Sequence, residues 1–226
     1  DMLTSYVKPG TDLLKLDSMA EDFIRSKGAR PAFKGYMGFP ATLCISIDEE
    51  VVHGIPKKRT LQEGQIVGID CGAEKKGYYG DSARTFAVGN ISSDKKKLMK
   101  ITRESLMKGI EEAKPGNYVS DIGHTIQTFV EAEGFSVVRE LVGHGIGTAL
   151  HEEPQVPNYG MPKQGVQLQE GMCIAIEPMI NLGSKDIFTD SDGWTIKTRD
   201  GKPSAHFEHT IAILADGPKI LTKGNA

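Results

Sequence analysis

Apolar positions recur along this chain in two periods. At helical spacing, Met99, Thr102, Leu106, Ile110 and Ala113 fall on one stripe of a helix predicted over 94–113. A second stripe, Ile122, Ile126, Phe129 and Val130, predicts another helix with Ser120 as its N-cap and Gly134 at C′. Elsewhere the apolar runs are short and strand-like, at 43–47, 136–142, 172–177, 194–198 and 205–214. Two further runs, 66–73 and 78–88, flank the charged turn Lys75-Lys76-Gly77 and read as a hairpin. Residues 153–171 carry Pro154, Pro157, Gly160, Pro162 and Gly165 and read as a loop. Strand pairs alternating with long helices predict an α+β fold, its helices covering one face of a mostly antiparallel sheet.

The pattern also repeats. Lys8-Pro9-Gly10 opens a segment ending at Gly28, and Lys114-Pro115-Gly116 opens one ending at Gly134, an ungapped offset of 106 residues. The offset matches Leu16 with Ile122, Phe23 with Phe129 and Ile24 with Val130. A period this long predicts two related halves rather than a solenoid. No linker or low-complexity segment separates them, so residues 1–226 are expected to form one catalytic domain. A long helix precedes the second copy whereas only Asp1 to Val7 precede the first, so the repeat predicts a truncated N-terminal helix.

Composition narrows the class. The 226 residues are 38% hydrophobic and 25% charged, as in an ordinary globular protein. A net charge of −3 gives no global basic field to hold nucleic acid or anionic lipid. Three cysteines, Cys44, Cys71 and Cys173, have no CxxC spacing, which argues against a disulfide scaffold or thiolate zinc site and for a reducing compartment. No apolar run approaches the ~20 residues of a membrane span, and there is no signal peptide core, so a cytoplasmic location is expected.

The chemistry is carried by carboxylates in apolar runs. Asp70 stands in Ile66–Ala73 and Asp81 on the facing run; a turn centred between Lys75 and Lys76 sets the two opposite each other on one side. Facing acids there need a shared proton or a cation. Three more segments place ligand-type residues at strand ends: His144 among glycines that would let a ligand approach, Glu177 before Pro178, and Glu208 in His206-Phe207-Glu208-His209-Thr210. Alternation puts His206, Glu208 and Thr210 on one face. Four carboxylates and one imidazole, without sulfur, suit two divalent ions such as Mn, Fe, Co or Zn. Two bridging carboxylates would hold such metals about 3.5–4 Å apart with a hydroxide between them. His151-Glu152-Glu153-Pro154 is not a zincin HExxH, since Gln155 stands where the second His is needed, and no GxSxG or phosphate loop is present. Water is the expected nucleophile.

In order and spacing these residues match a known family. Ile69-Asp70 through Gly80-Asp81-Ser82, Gly143-His144-Gly145-Ile146-Gly147 with His151-Glu152-Glu153-Pro154-Gln155-Val156, Ile176-Glu177-Pro178-Met179 and Phe207-Glu208-His209-Thr210 resemble a type I methionine aminopeptidase of the pita-bread fold. The resemblance covers nearly the whole chain. The 33 residues from His144 to Glu177 and 31 from Glu177 to Glu208 leave no room for the large insertion of type II enzymes. The resemblance implies two pseudo-symmetric halves under a curved, mostly antiparallel sheet. It implies that Asp81 and Glu208 bridge two metals, that Asp70 chelates one, and that His144 and Glu177 hold the other. It implies attack by a bridging hydroxide on the first peptide bond, with the free α-amine at the metals and Glu177 as proton shuttle. His151 would donate to the carbonyl oxygen, and His53 would contact the amide on the leaving-group side. The methionine pocket would be lined by Tyr36, Phe39, Cys44 and Trp194, with Leu150 where well-known members carry an aromatic residue.

The implied activity is removal of N-terminal methionine from nascent proteins when the next residue is small, by a monomer working near the ribosome. Two alternatives compete: an aminopeptidase or dipeptidase of the same fold with X-Pro selectivity, and a non-catalytic pita-bread binding module. The second typically loses metal ligands, whereas this chain keeps all five.

Overall fold

The computed structural model describes residues 1–224. Three helices carry most of the helical content: α1 (Leu13–Ser26), α2 (Ser93–Glu112) and α3 (Val119–Ala132). Helices α1 and α3 begin and end at the same two points of the sequence repeat. Leu16 and Ile122, matched by the repeat, are both fully buried, and Gly28 and Gly134 both take positive φ at the helix C-termini. The two copies also make equivalent backbone contacts. Gly10 N–H donates to Leu61 and Gly116 N–H to Leu168, while Asp12 bridges to Thr60 and Tyr118 to Gln167.

The caps differ between copies. Asp12 caps α1 by accepting from Leu14 and Lys15 N–H. The expectation that Ser120 caps α3 is incorrect: Ser120 lies inside the helix and accepts from Gln164 N–H. Tyr118 is the N-cap residue, and Asp121 reaches back to its N–H.

The first half of the chain contributes strands β1 (Arg30–Pro31), β2 (Cys44–Ile47), β3 (Glu50–Val52), β4 (Ile66–Lys75) and β5 (Tyr78–Ala87). The second contributes β6 (Ser136–Val137), β7 (Gly143–Gly145), β8 (Glu152–Val156), β9 (Cys173–Ile176) and β10 (Met179–Asn181). It continues with β11 (Ile187–Thr189), β12 (Ile196–Thr198), β13 (Ser204–His206), β14 (His209–Leu214) and β15 (Gly217–Ile220). In the first sheet β4 pairs with β5 along one edge and with β2 and β1 along the other. The largest sheet runs β15-β14-β9-β7-β8, and two three-stranded sheets run β13-β10-β6 and β11-β12-β3. All these pairings are antiparallel.

Several boundaries depart from the periodicity. The expected strand 136–142 forms only as β6, and the segment then turns before β7. The expected loop 153–171 begins with an edge strand, β8, which tolerates Pro154 because an edge position need not supply every ladder N–H. The expected strand 205–214 is divided into β13 and β14. Its register nevertheless runs through the break, with His206 opposite Met179 and His209 opposite Ile176. That shared register sets Glu208 across from Glu177 at the interruption.

The hairpin register also differs from expectation. The turn is Lys76-Gly77, both with positive φ (55° and 83°), so Lys75 opposes Tyr78, Asp70 opposes Ala83 and Asp81 opposes Gly72. A two-residue turn of this kind needs left-handed backbone at both positions, which Gly77 supplies without strain. The two aspartates are therefore diagonal neighbours rather than direct partners. Because the shift is an even number of residues, they stay on one face.

Helices α2 and α3 pack Leu98, Ile101, Leu106, Ile110, Ile122 and Ile126 onto Ile174, Ile176 and Ile211 of the large sheet. Helix α1 packs Leu13, Leu16 and Ala20 onto Leu43, Ile45, Val67 and Ile69. The opposite side carries a smaller cluster of Phe33, Phe39, Cys44, Ile146 and Leu150. Among the described residues no helix is long and apolar enough to cross a membrane.

Candidate active site

Three sheets deliver charged side chains to one place. Asp70 and Asp81 come from the hairpin, His144 from β7, and Glu177 and Glu208 from the ends of β9 and β13. All five line a cavity of about 180 Å³. Asp81, His144 and Glu208 are buried, and each offers a ligand atom within 4.8 Å of the other two. Glu177 joins them through His144, its Oε1 lying 3.6 Å from Nε2. The expected glycine freedom around His144 serves the neighbouring strands rather than a ligand. A Cβ on Gly143 would stand 2.3 Å from Ala175 O, and one on Gly145 2.2 Å from Glu153 O. The close approach of strands is what holds His144 at the centre; its Nδ1 lies 2.8 Å from Gly145 O.

The electrostatics of this cluster are unfavourable as it stands. Asp70 Oδ1, Asp81 Oδ1 and Glu208 Oε1 are buried with no hydrogen-bond partner. No lysine or arginine of the described residues pairs with the four carboxylates, and the imidazoles of His144 and His206 stand beside Glu177. Burial, followed by the charge of Glu177, pushes Asp81 up to about 7, and burial pushes Glu177 up to about 7. Asp70 and Glu208 are driven well above the usual carboxylate range by burial and then by their acidic neighbours. Unpartnered buried carboxylate oxygens cost several kcal/mol unless something cationic satisfies them. Asp81 and Glu208 converging beside the His144 imidazole, with Asp70 lining the same cavity, offer the oxygen-rich donors that suit a divalent cation, and the residues present fit one.

The remaining expected residues surround the same space. Tyr36, Phe39, Cys44, His53, Leu150, His151 and Trp194 all line the cavity. Phe39 and Trp194 meet edge to face at 5.2 Å, forming one aromatic wall. Burial pushes the Cys44 thiol well up, so it lines the pocket as an apolar group. His151 packs against His144 with ring centroids 4.3 Å apart, and its Nδ1 lies 2.8 Å from Tyr36 Oη. Burial pushes His151 and His53 down to about 4, so both rings are neutral at pH 7. His53 holds a left-handed backbone (φ 58°) just after β3.

Three residues near the site lie outside the expected set. Phe33 and Met37 line the cavity, and neither is marked by any motif. His206 is buried, and its Nε2 lies 3.5 Å from Glu177 Oε2. The only sign of it in the sequence is the alternation that sets it on the face of Glu208.

A second, more open cavity of about 540 Å³ adjoins the first and shares His53, His144, His151 and Glu177 with it. The centre thus stands between an apolar pocket and a polar groove bordered by Glu140, Glu152, Glu153 and Gln155.

Comparison with known proteins agrees with this geometry. The profile of metallopeptidase family M24 matches residues 1–215. Methionine aminopeptidase 1 of Bacillus subtilis (strain 168) is 57% identical over 221 residues, covering 98% of this chain and 89% of that protein. The crystal structure of methionine aminopeptidase from Rickettsia prowazekii superposes with a TM-score of 0.97 at 43% identity, covering 99% of this chain and 90% of that one. The enzyme from Thermotoga maritima gives the same TM-score at 45% identity, with the same shares covered. The fold is the pita-bread fold, and the chain belongs to metallopeptidase family M24 and, within it, to the methionine aminopeptidases.

Proposed function

We propose that Asp70, Asp81, His144, Glu177 and Glu208 hold two divalent cations and that this centre removes methionine from the N-termini of newly made proteins. The observation that carries the reading is the set of partnerless buried carboxylate oxygens in an apolar pocket that shares His144 and Glu177 with an open groove. In the detailed assignment Asp70, Asp81 and Glu208 would hold one cation, and Asp81, Glu208, His144 and Glu177 would hold the other. Bound cations supply the charge that polarises the scissile carbonyl and makes water acidic at neutral pH. Oxygen-rich ligands without sulfur suit Mn, Fe, Co or Zn, and supply in the cell selects among them.

The protein's own groups do the rest. The substrate's α-amine is drawn to the four-carboxylate centre, which orients the first peptide bond. The methionine side chain enters the pocket of Tyr36, Phe39, Cys44, Leu150 and Trp194, where a thioether packs well against aromatic rings. The rest of the peptide leaves along the open groove, past His53 and His151. A small second residue is preferred because it must sit where pocket and groove meet. Glu177 takes a proton from the attacking water and returns it to the leaving amine. His151 Nδ1 lies 2.8 Å from Tyr36 Oη; with the hydroxyl donating to Nδ1, the neutral ring's hydrogen stands on Nε2, ready to donate to the carbonyl oxygen as charge develops. His53 contacts the amide on the leaving side. The enzyme acts as a cytoplasmic monomer on chains emerging near the ribosome.

Release of free methionine from Met-Ala-Ser, compared with hydrolysis of Leu-Ala-Ser and of Xaa-Pro peptides, tests this reading. Met-Ala-Ser should be cut at least tenfold faster than either comparison. Faster turnover of Xaa-Pro peptides would overturn the selectivity, and no turnover of any peptide by metal-loaded protein would overturn the activity.

A further inference from the structure

Glu177 has an imidazole at each carboxylate oxygen, but only one belongs to the ligand set. His144 Nε2 lies 3.6 Å from Oε1 and His206 Nε2 lies 3.5 Å from Oε2. His206 is only 3% exposed, and its Nε2 has no hydrogen-bond partner. A ring nitrogen buried without a partner costs free energy, so its placement beside a reactive carboxylate calls for a role.

The main chain of His206 is held firmly. Its N–H donates to Thr85 Oγ1 at 2.9 Å, and Thr85 Oγ1 donates to its carbonyl at 2.8 Å. It also lies opposite Met179 in the β10–β13 ladder, two residues along from Glu177. Glu177 is anchored from the far side, where Asn158 Nδ2 donates to its carbonyl at 3.1 Å. Two fixed backbones thus hold the ring and the carboxylate within reach of each other, and a small rotation of either closes the bond.

We propose that His206 is a positioning residue for Glu177: its Nε2–H engages Oε2, leaving Oε1 directed at the His144 side of the centre. A carboxylate that must both ligate and shuttle a proton gains from having one oxygen committed, because the other is then kept in a single orientation. The inference rests on the metal-site reading above.

The test uses the full protein with two substitutions at this position. Gln in place of His206 can present an amide N–H near where Nε2 stands, and Leu fills a comparable volume with no donor. The proposal expects His206→Gln to retain kcat on Met-Ala-Ser within about threefold. It expects His206→Leu to lower kcat ten- to a hundredfold at nearly unchanged KM, the size usual for removing a partner of a metal ligand. Calorimetric titration with Mn(II) should find two equivalents in both His206 variants, and weaker binding in His206→Leu. Removing Glu177's second oxygen charge with Glu177→Gln should abolish that weakening, so that the double variant binds Mn(II) no worse than Glu177→Gln alone. Urea unfolding of the metal-free proteins controls for folding, and His206→Leu should be at least as stable as wild type.

Several results would overturn the proposal. They are a Leu variant with wild-type kcat and Mn(II) affinity, a Gln variant as impaired as Leu, and additive losses in the double variant. A drop to one equivalent of Mn(II) would make His206 a ligand instead. If wild type itself binds no Mn(II), the metal-site reading fails and takes this inference with it; wild type that binds two equivalents beside an unaffected His206→Leu defeats this inference alone.

Discussion

Tyr36 and His151 illustrate how single side chains set the chemistry of the pocket. The Tyr36 hydroxyl lies 2.8 Å from Nδ1 of a ring held neutral by burial, and in the proposed mechanism it donates there and leaves the ring's hydrogen on Nε2. Tyr36→Phe should therefore lower kcat about tenfold, near the ~1 kcal/mol of one neutral hydrogen bond. His151→Ala should cost on the order of a hundred- to a thousandfold, as loss of an oxyanion donor does elsewhere. Steady-state kinetics on Met-Ala-Ser measure both, and equal losses would contradict the orienting role of Tyr36. At this scale the sequence is most readable where chemistry is costly. Asp70, Asp81, Glu177 and Glu208 stand in apolar runs, and an acid there requires a partner. Phe33 and Met37 are not readable, because an aromatic or a methionine is equally at home in any core. His206 shares a face with Glu208, but no spacing rule ties it to Glu177 before the two strands are paired.

Among elements, the strands around His144 carry the tightest constraint. Gly143 lies so close to Ala175 that any Cβ would meet a carbonyl oxygen at 2.3 Å, and backbone cannot yield as a flexible side chain can. Gly143→Ala should destabilise the protein by roughly 3 kcal/mol or more by urea unfolding, in the range of severe single substitutions. It should weaken metal binding as well, since β7 carries His144 between Gly143 and Gly145. A neutral effect on both would mean that β7 is free to shift. Element identity follows from periodicity for α2, α3 and the β4–β5 hairpin, whose patterns are long, and for α1 from its match to α3 in the repeat. Short strands such as β3, β11 and β15 leave too few alternations to detect, and their pairing partners supply the order. The hairpin register is not legible in the same way, because the charged pair Lys75-Lys76 looks like the centre of the turn. The backbone instead turns where Gly77 admits positive φ. Parity preserves the functional conclusion, since a shift by two keeps Asp70 and Asp81 on one face.

For the whole molecule, the repeat of 106 residues is the organising fact, with helices from both halves on one side and the cavity on the other. The acids gathered at that cavity make stability depend on pH when no metal is bound. Asp81 and Glu177 are pushed up to about 7, and Asp70 and Glu208 higher than usual as well, all chiefly by burial. Carboxyls with a raised folded-state pKa bind protons more tightly in the fold than when unfolded. The stability they lend is complete below their unfolded value and is lost as pH rises through the folded value. His53, His151 and His206, pushed down to about 4 by burial, act in the opposite sense, but their effect is complete by their ordinary 6.5. Between about pH 6.5 and 8.5 the acids therefore dominate. Metal-free protein should lose roughly 1–3 kcal/mol across that window, since each tenfold difference in proton affinity between folded and unfolded chain is worth about 1.4 kcal/mol. Saturating divalent metal should remove most of the slope. Urea midpoints that stay level or rise without metal would show that the acids are relieved by some other means.

A two-cation peptidase built from five residues should show itself when metal-stripped protein is titrated with Mn(II) in a calorimeter while methionine release from Met-Ala-Ser is followed. Wild type and Asp81→Ala are compared in the same experiment. Wild type should bind two equivalents and regain activity, and Asp81→Ala should bind at most one and show none. Wild type that binds no metal, or an Asp81→Ala protein that binds two equivalents and cleaves at the wild-type rate, would contradict the two-cation centre.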